Sequence, residues 1–156
     1  MKNVCNVETF LHDLRQIKPE GNTPLNTVFN QVLSENVNTV KDKKLLIIIL
    51  TDGEHYDTCF KKSLLNRNPM NRIFVNIVIC TDKKETVNYM NKWDKEIFNL
   101  DVIDDYNSEK KEIKSKKGLK HSFSYGDYVA KCMIGSVDLK TDQSDENYNN
   151  QDCSIM

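Results

Sequence analysis

Apolar residues fall along this chain in two ways, as stripes at helical spacing and as short unbroken runs. Val7, Phe10, Leu11, Leu14 and Ile17 share one face of a turn-by-turn repeat, which predicts an amphipathic helix from Val7 to Ile17. Pro19 to Pro24, with Gly21 and Asn22 as turn formers, interrupts it. A second amphipathic helix follows from about Pro24 to Val37, with Leu25, Val28, Phe29, Val32 and Leu33 in its stripe. Thr23 or Asn22 suits its N-cap and Pro24 its first turn. The unbroken runs read differently. Leu45 to Thr51 (LLIIILT) and Ile73 to Cys80 (IFVNIVIC) are short and rich in β-branched residues, as parallel strands buried on both faces are. The first ends abruptly in Asp52-Gly53-Glu54, a turn signal.

A short helix is expected from Thr58 to Leu65. Another is expected from Thr86 to Phe98, with Val87, Met90, Trp93 and Ile97 in line, and a third strand from Leu100 to Ile103. Strands alternating with helices imply right-handed βαβ crossovers. The expected fold is therefore α/β, a doubly wound, mostly parallel sheet. Beyond Ile103 the pattern weakens into the lysine-rich stretch Lys110 to Lys120. Ser124 to Ile134 then reads as a helix with Tyr128, Val129, Cys132 and Met133 as its buried side. From Asp138 the chain turns acidic and Asn-rich, which predicts a domain over 1–138 and a disordered tail over 139–156.

Composition narrows the function classes. A length of 156 residues suits one domain, and a net charge of -1 gives no global field to hold nucleic acid or an anionic membrane. The five cysteines have no CxxC spacing and an odd count, which argues against a disulfide framework or zinc site and for a reducing, cytoplasmic compartment. Glu8 and Asp13 interrupt any apolar leader, and Leu45 to Leu50 falls far short of the ~20 residues of a membrane span. His12, His55 and His121 lack metal-ligand spacing. Asp101, Asp104 and Asp105 cluster at a strand end, where solvated carboxylates are the ordinary outcome, and the lysine stretch reads as a solvated face. Phosphate-loop, dinucleotide, serine-hydrolase and zinc-protease motifs are all lacking, so the chain reads as a binding module and not an enzyme.

Ligands of open parallel sheets bind at the carboxyl ends of the strands. Two loops are candidates for that rim: Gly21-Asn22-Thr23-Pro24-Leu25, entering a helix, and Thr51-Asp52-Gly53-Glu54, leaving a strand. A hydroxyl and a carboxylate there are hard oxygen ligands suited to Mg²⁺ or Mn²⁺. In order, spacing and strand context, GNTPL followed by LLIIILTDGE resembles the second and third parts of the metal-ion-dependent adhesion site of von Willebrand factor type A domains. DVIDDYNSEKKEI and FSYGDYVAKCMIGSVD are similar to the end of intracellular members of that family, so the resemblance covers roughly residues 7 to 138. It implies a doubly wound sheet with a divalent metal on its rim, Mg²⁺ or Mn²⁺, completed by an acidic group from a protein partner. Thr23 would bind the metal and Asp52 would contact it, often through water. Asn22, Gly53 and Glu54 would be further rim residues.

The chain departs from the family in lacking the first motif, Asp-x-Ser-x-Ser. Most of the coordination would then fall to water, and the adhesion site is expected to be incomplete. The first strand of the family pattern is likewise expected to be missing before residue 7, leaving LLIIIL with an open apolar edge. A truncated gene product, a fragment completed by another chain and a rearranged sheet all fit that expectation. The residues also admit a plainer reading, in which Thr23 caps a helix and Asp52 caps a turn. A nucleotide- or phosphate-binding α/β domain of enzyme type and a nonfunctional gene remnant are the alternative functions. Finally, Cys153-Ser154-Ile155-Met156 fits a prenylation tetrapeptide of the farnesyl type, which would place Cys153 on a membrane through its lipid.

Overall fold

A computed structural model describes residues 6–18, 23–52, 58–81, 83–118 and 120–138, with the backbone alone at 58 and 84–87. In chain order the elements are α1 (Val7–Gln16), α2 (Leu25–Glu35), α3 (Thr39–Asp42), β1 (Leu45–Thr51), α4 (Thr58–Asn66), a 3₁₀ turn (Met70–Arg72), β2 (Ile73–Ile79), α5 (Lys84–Glu96), β3 (Leu100–Ile103), α6 (Tyr106–Lys117) and α7 (Tyr125–Ile134). The three strands form one parallel sheet in the order β1-β2-β3, with Leu45 beside Ile73 and Val75 beside Leu100. Parallel neighbours need crossovers, and α4 and α5 supply them.

Alternation along β2 separates the two faces of the sheet. Ile73, Val75, Ile77 and Ile79 pack with Phe29 of α2, Phe60 and Leu64 of α4, and Met90, Trp93 and Ile97 around α5. Phe60 meets Phe29 edge-on with ring centroids 5.4 Å apart and lies 6.1 Å from Trp93. Leu45, Ile47 and Ile49 of β1 pack against the same core, as does Leu25 at the start of α2. The opposite face belongs to α7. Asn76, fully buried in mid-strand, donates from Nδ2 to the Cys132 carbonyl (2.9 Å) and accepts the Ser136 amide at Oδ1 (3.0 Å). Gly135 comes so near Asp101 that an added Cβ would lie 1.5 Å from its Oδ2.

At the amino ends of β2 and β3, Arg67 is buried and donates to the carbonyls of Ile73 (3.3 Å), Leu64 and Phe98. It draws together the end of α4, the start of β2 and the turn before β3. Burial lowers its pKa to about 10, so it keeps its charge near neutrality.

Several sequence expectations need correction. The second helix begins at Leu25, with Pro24 as its N-cap and without a side-chain cap. The Leu25 amide turns back to the Thr23 carbonyl (3.0 Å), so the first orphan donor is met by backbone and Thr23 is not the cap. β1 is half-buried where burial on both faces was expected, because it lies at the sheet's edge; Leu50 is 71% exposed. α1 begins as its Asn6 cap dictates, but Val7, Leu11, Leu14 and Ile17 are all exposed. The lysine-rich stretch is helical as far as Lys117, the end of α6, which Asp105 caps by accepting the amides of Asn107 (2.9 Å) and Ser108 (3.3 Å). α7 starts at the expected place, on a Ser124–Asp127 capping box, but its buried side is turned. Tyr128 and Cys132 are half-buried on the expected side, but Lys131 is the fully buried residue and Val129 and Met133 are exposed. The tail over 139–156 lies outside the described residues.

The turn of α7 follows from one buried ion pair. Lys131 Nζ lies 2.9 Å from Glu109 Oε2 of α6, with both side chains at most 2% exposed. Removing one partner strands the other charge in a desolvated site. Lys131→Met should therefore lose roughly 3–5 kcal/mol in urea unfolding. Glu109→Gln combined with Lys131→Met should recover much of that loss, since the amide oxygen still accepts the Asp104 amide that Glu109 Oε1 holds at 2.9 Å.

Candidate functional site

Parallel strands bring their carboxyl ends to one rim, and the loops after β1, β2 and β3 all leave from it. Asp52 follows β1 directly and is exposed; Thr23 is exposed just ahead of α2. Asn22, Gly53, Glu54, His55 and Cys153 lie outside the described residues. Thr51 ties the first two strands at the rim: its carbonyl accepts the Cys80 amide at 2.7 Å.

The rim is most elaborate after β3. The expected solvated carboxylates at this strand end are not solvated. Asp101 is 1% exposed and Asp104 8%, because α6 and α7 close over them; Asp105 is half-buried, committed to capping α6. Burial pushes Asp105 up, but hydrogen bonds from the Ser108 hydroxyl (2.6 Å) and the Asn107 and Ser108 amides outweigh it and leave its pKa lowered. Asp104 goes the other way. Burial first, then repulsion from Glu112 and Asp105, raise its pKa to about 6, against the opposing pull of Lys131 and a hydrogen bond from Asn91. Its Oδ1 has no hydrogen-bond partner among the described residues.

Beside this carboxylate stands an aromatic group that the sequence did not announce. The Tyr106 ring lies 6.1 Å from Phe123, 5.4 Å from Tyr125 and 5.6 Å from Tyr128. Lys110 Nζ caps Tyr106, 5.0 Å above its ring and 2.9 Å from its hydroxyl. Tyr125 is exposed, whereas burial raises the pKa of Tyr128, with the Cys132 thiol beside it adding to the shift. Burial likewise raises the Cys132 thiol. The signal available was the spacing of Tyr106, Phe123, Tyr125 and Tyr128, but it spans a loop and two helices with no shared period. Cys80 and Cys132 are free thiols.

Among the described residues, no group of three or more His, Cys, Asp or Glu side chains is placed to hold a metal ion, and no helix is long and apolar enough to cross a membrane. No family model, curated protein or solved structure gives a significant match to this chain.

The raised pKa of Asp104 makes the rim sensitive to pH. The folded protein holds this proton more tightly than the unfolded chain does. Its contribution to stability is therefore complete below 3.8 and is lost as pH rises to about 6. Asp104→Asn is neutral at every pH. Its stability should match that of the wild type near pH 4 and exceed it by roughly 1–3 kcal/mol near pH 8, read from urea unfolding at the two pH values.

Proposed function

We propose that this chain is a protein-interaction module of the von Willebrand factor type A kind, with an incomplete divalent-metal adhesion site. One observation carries the reading. The strand that ends in Thr51 is a member of a parallel α/β sheet and delivers Asp52 to its carboxyl rim, while Leu25, the first residue of the helix entered through Thr23, packs against the same core as that strand. Thr23 and Asp52 supply a hydroxyl and a carboxylate, the donor chemistry that suits Mg²⁺ or Mn²⁺, and an acidic side chain from a protein partner would complete the coordination. A cytoplasmic location goes with free thiols at Cys80 and Cys132.

Calorimetric titration with Mg²⁺ and Mn²⁺ tests the metal. Weak binding is expected, reduced about tenfold or more by Thr23→Ala and by Asp52→Ala. Absence of heat, or equal heat from both variants and the wild type, would remove the adhesion-site reading. Nucleotide binding indifferent to metal would favour the phosphate-binding alternative instead.

Where Met156 is the carboxyl-terminal residue, Cys153 is the proposed farnesyl acceptor. Protein made in eukaryotic cells should then carry the lipid mass, and Cys153→Ser should lack it; an unmodified Cys153 rejects lipidation without touching the metal.

A further inference from the structure

The two edges of the sheet are treated differently. Just ahead of β3 the Asn99 carbonyl turns toward β2, where it accepts the Val75 amide (3.0 Å), so alternation turns the Val102 amide outward. That outward amide is taken up by Asp94 Oδ1 at 3.2 Å. β3 is also short and buried throughout. β1 is longer and half-buried, and among the described residues only β2 pairs with it. Its Thr51 carbonyl turns toward β2, so the backbone groups of Leu46, Ile48 and Leu50 face outward. Natural edges are usually blunted by a proline, a charge or a bulge, and LLIIILT has none of these.

Charge flanks this apolar run asymmetrically. Lys43 and Lys44 precede it, and Asp52 follows. An antiparallel mate with the same sequence, turned about a two-fold axis at Ile48, sets Lys44 of each copy opposite Asp52 of the other. The same register sets Leu46 opposite Leu50 and Ile48 opposite Ile48, so the three outward-facing residues exchange backbone hydrogen bonds with one another. Centring on Ile47 or Ile49 also aligns outward groups, but it sets Lys44 against Leu50 or Asp52 against Leu46. Only the central register joins matched backbone, matched charge and apolar contact. Lys44 Nζ lies 5.0 Å over the Phe74 ring, which shares the α7 face with Asn76, Leu46 and Leu50. The paired charges would therefore sit on the same face as the exposed Leu50 side chain they border.

We infer that β1 is a homodimer edge: two copies of this chain join Leu45–Thr51 antiparallel about Ile48, and the two sheets become one. The contact is isologous and closes on itself, so it makes dimers and not fibres. It does not depend on the adhesion-site reading and needs no metal.

Sedimentation velocity of the whole chain over a concentration series, with and without EDTA, tests it. A reversible dimer indifferent to EDTA is expected. Lys44→Asp and Asp52→Lys should each weaken it about tenfold, because each places like charges opposite one another at both ends of the contact. The double variant Lys44→Asp/Asp52→Lys restores opposite charges and should return the dimer toward wild-type affinity. Both positions are exposed, and far-UV circular dichroism checks that each variant is folded. A monomer at every concentration, open-ended aggregation, a dimer unmoved by either single change, or singles that the double fails to rescue would each overturn the inference. A dimer that persists while Mg²⁺ and Mn²⁺ give no heat would sustain this edge and reject the metal site alone.

Discussion

A strand buried along its whole length has to be covered twice, and β2 sets the terms for the remaining elements. Its neighbours in the sheet are parallel, so each connection must climb back over the sheet, and α4 and α5 do so on the face that holds Phe60 and Trp93. The other face cannot be sealed by those crossovers. It falls to α7, which Asn76 ties to the sheet: in mid-strand its amide donates to the Cys132 carbonyl of α7 and accepts the Ser136 amide just beyond it. A buried amide left unanswered costs more than the net gain of an answered one, so this position fixes where α7 ends. Gly135 lets the backbone come close enough for the bond to form, and its missing side chain is what makes room for Asp101.

The strands were legible because a buried parallel strand needs only an unbroken apolar run. The bounds of β1 and β3 agree with the reading, and β2 stops one residue short of it, at Ile79. The helices that pack by ordinary stripes, α2, α4 and α5, were legible within a few residues. α6 was not, since its hold on the protein comes mainly from Ile113 and from Glu109, a charge whose partner lies on another helix. For the same reason the face of α7 was misjudged. Hydrophobic spacing nominates Val129 and Met133, but a lysine committed to a buried carboxylate outranks them. Pairing across a loop leaves no period to detect.

Legibility of the candidate site divides along similar lines. Asp52 was found because a turn signal follows an obvious strand. That Asp101 and Asp104 are buried, and that tyrosines gather beside them, depends on how α6 and α7 fold back over the end of β3. The rim thus combines a carboxylate at the end of β1 that sequence locates with a protonatable one after β3 that only packing creates.

Arg67 gives the opposite end of the sheet a different character. All the groups it binds are peptide carbonyls, which neither gain nor lose protons in water, and the guanidinium itself stays charged far above neutrality. Cohesion there is therefore unchanged by acid and through neutrality. It is also particular to arginine: the acceptors belong to α4, the start of β2 and the turn before β3, and a planar fork can address them together where an ammonium on a flexible stem would have to choose. The molecule has one end that answers to its surroundings and one that holds its shape regardless of them.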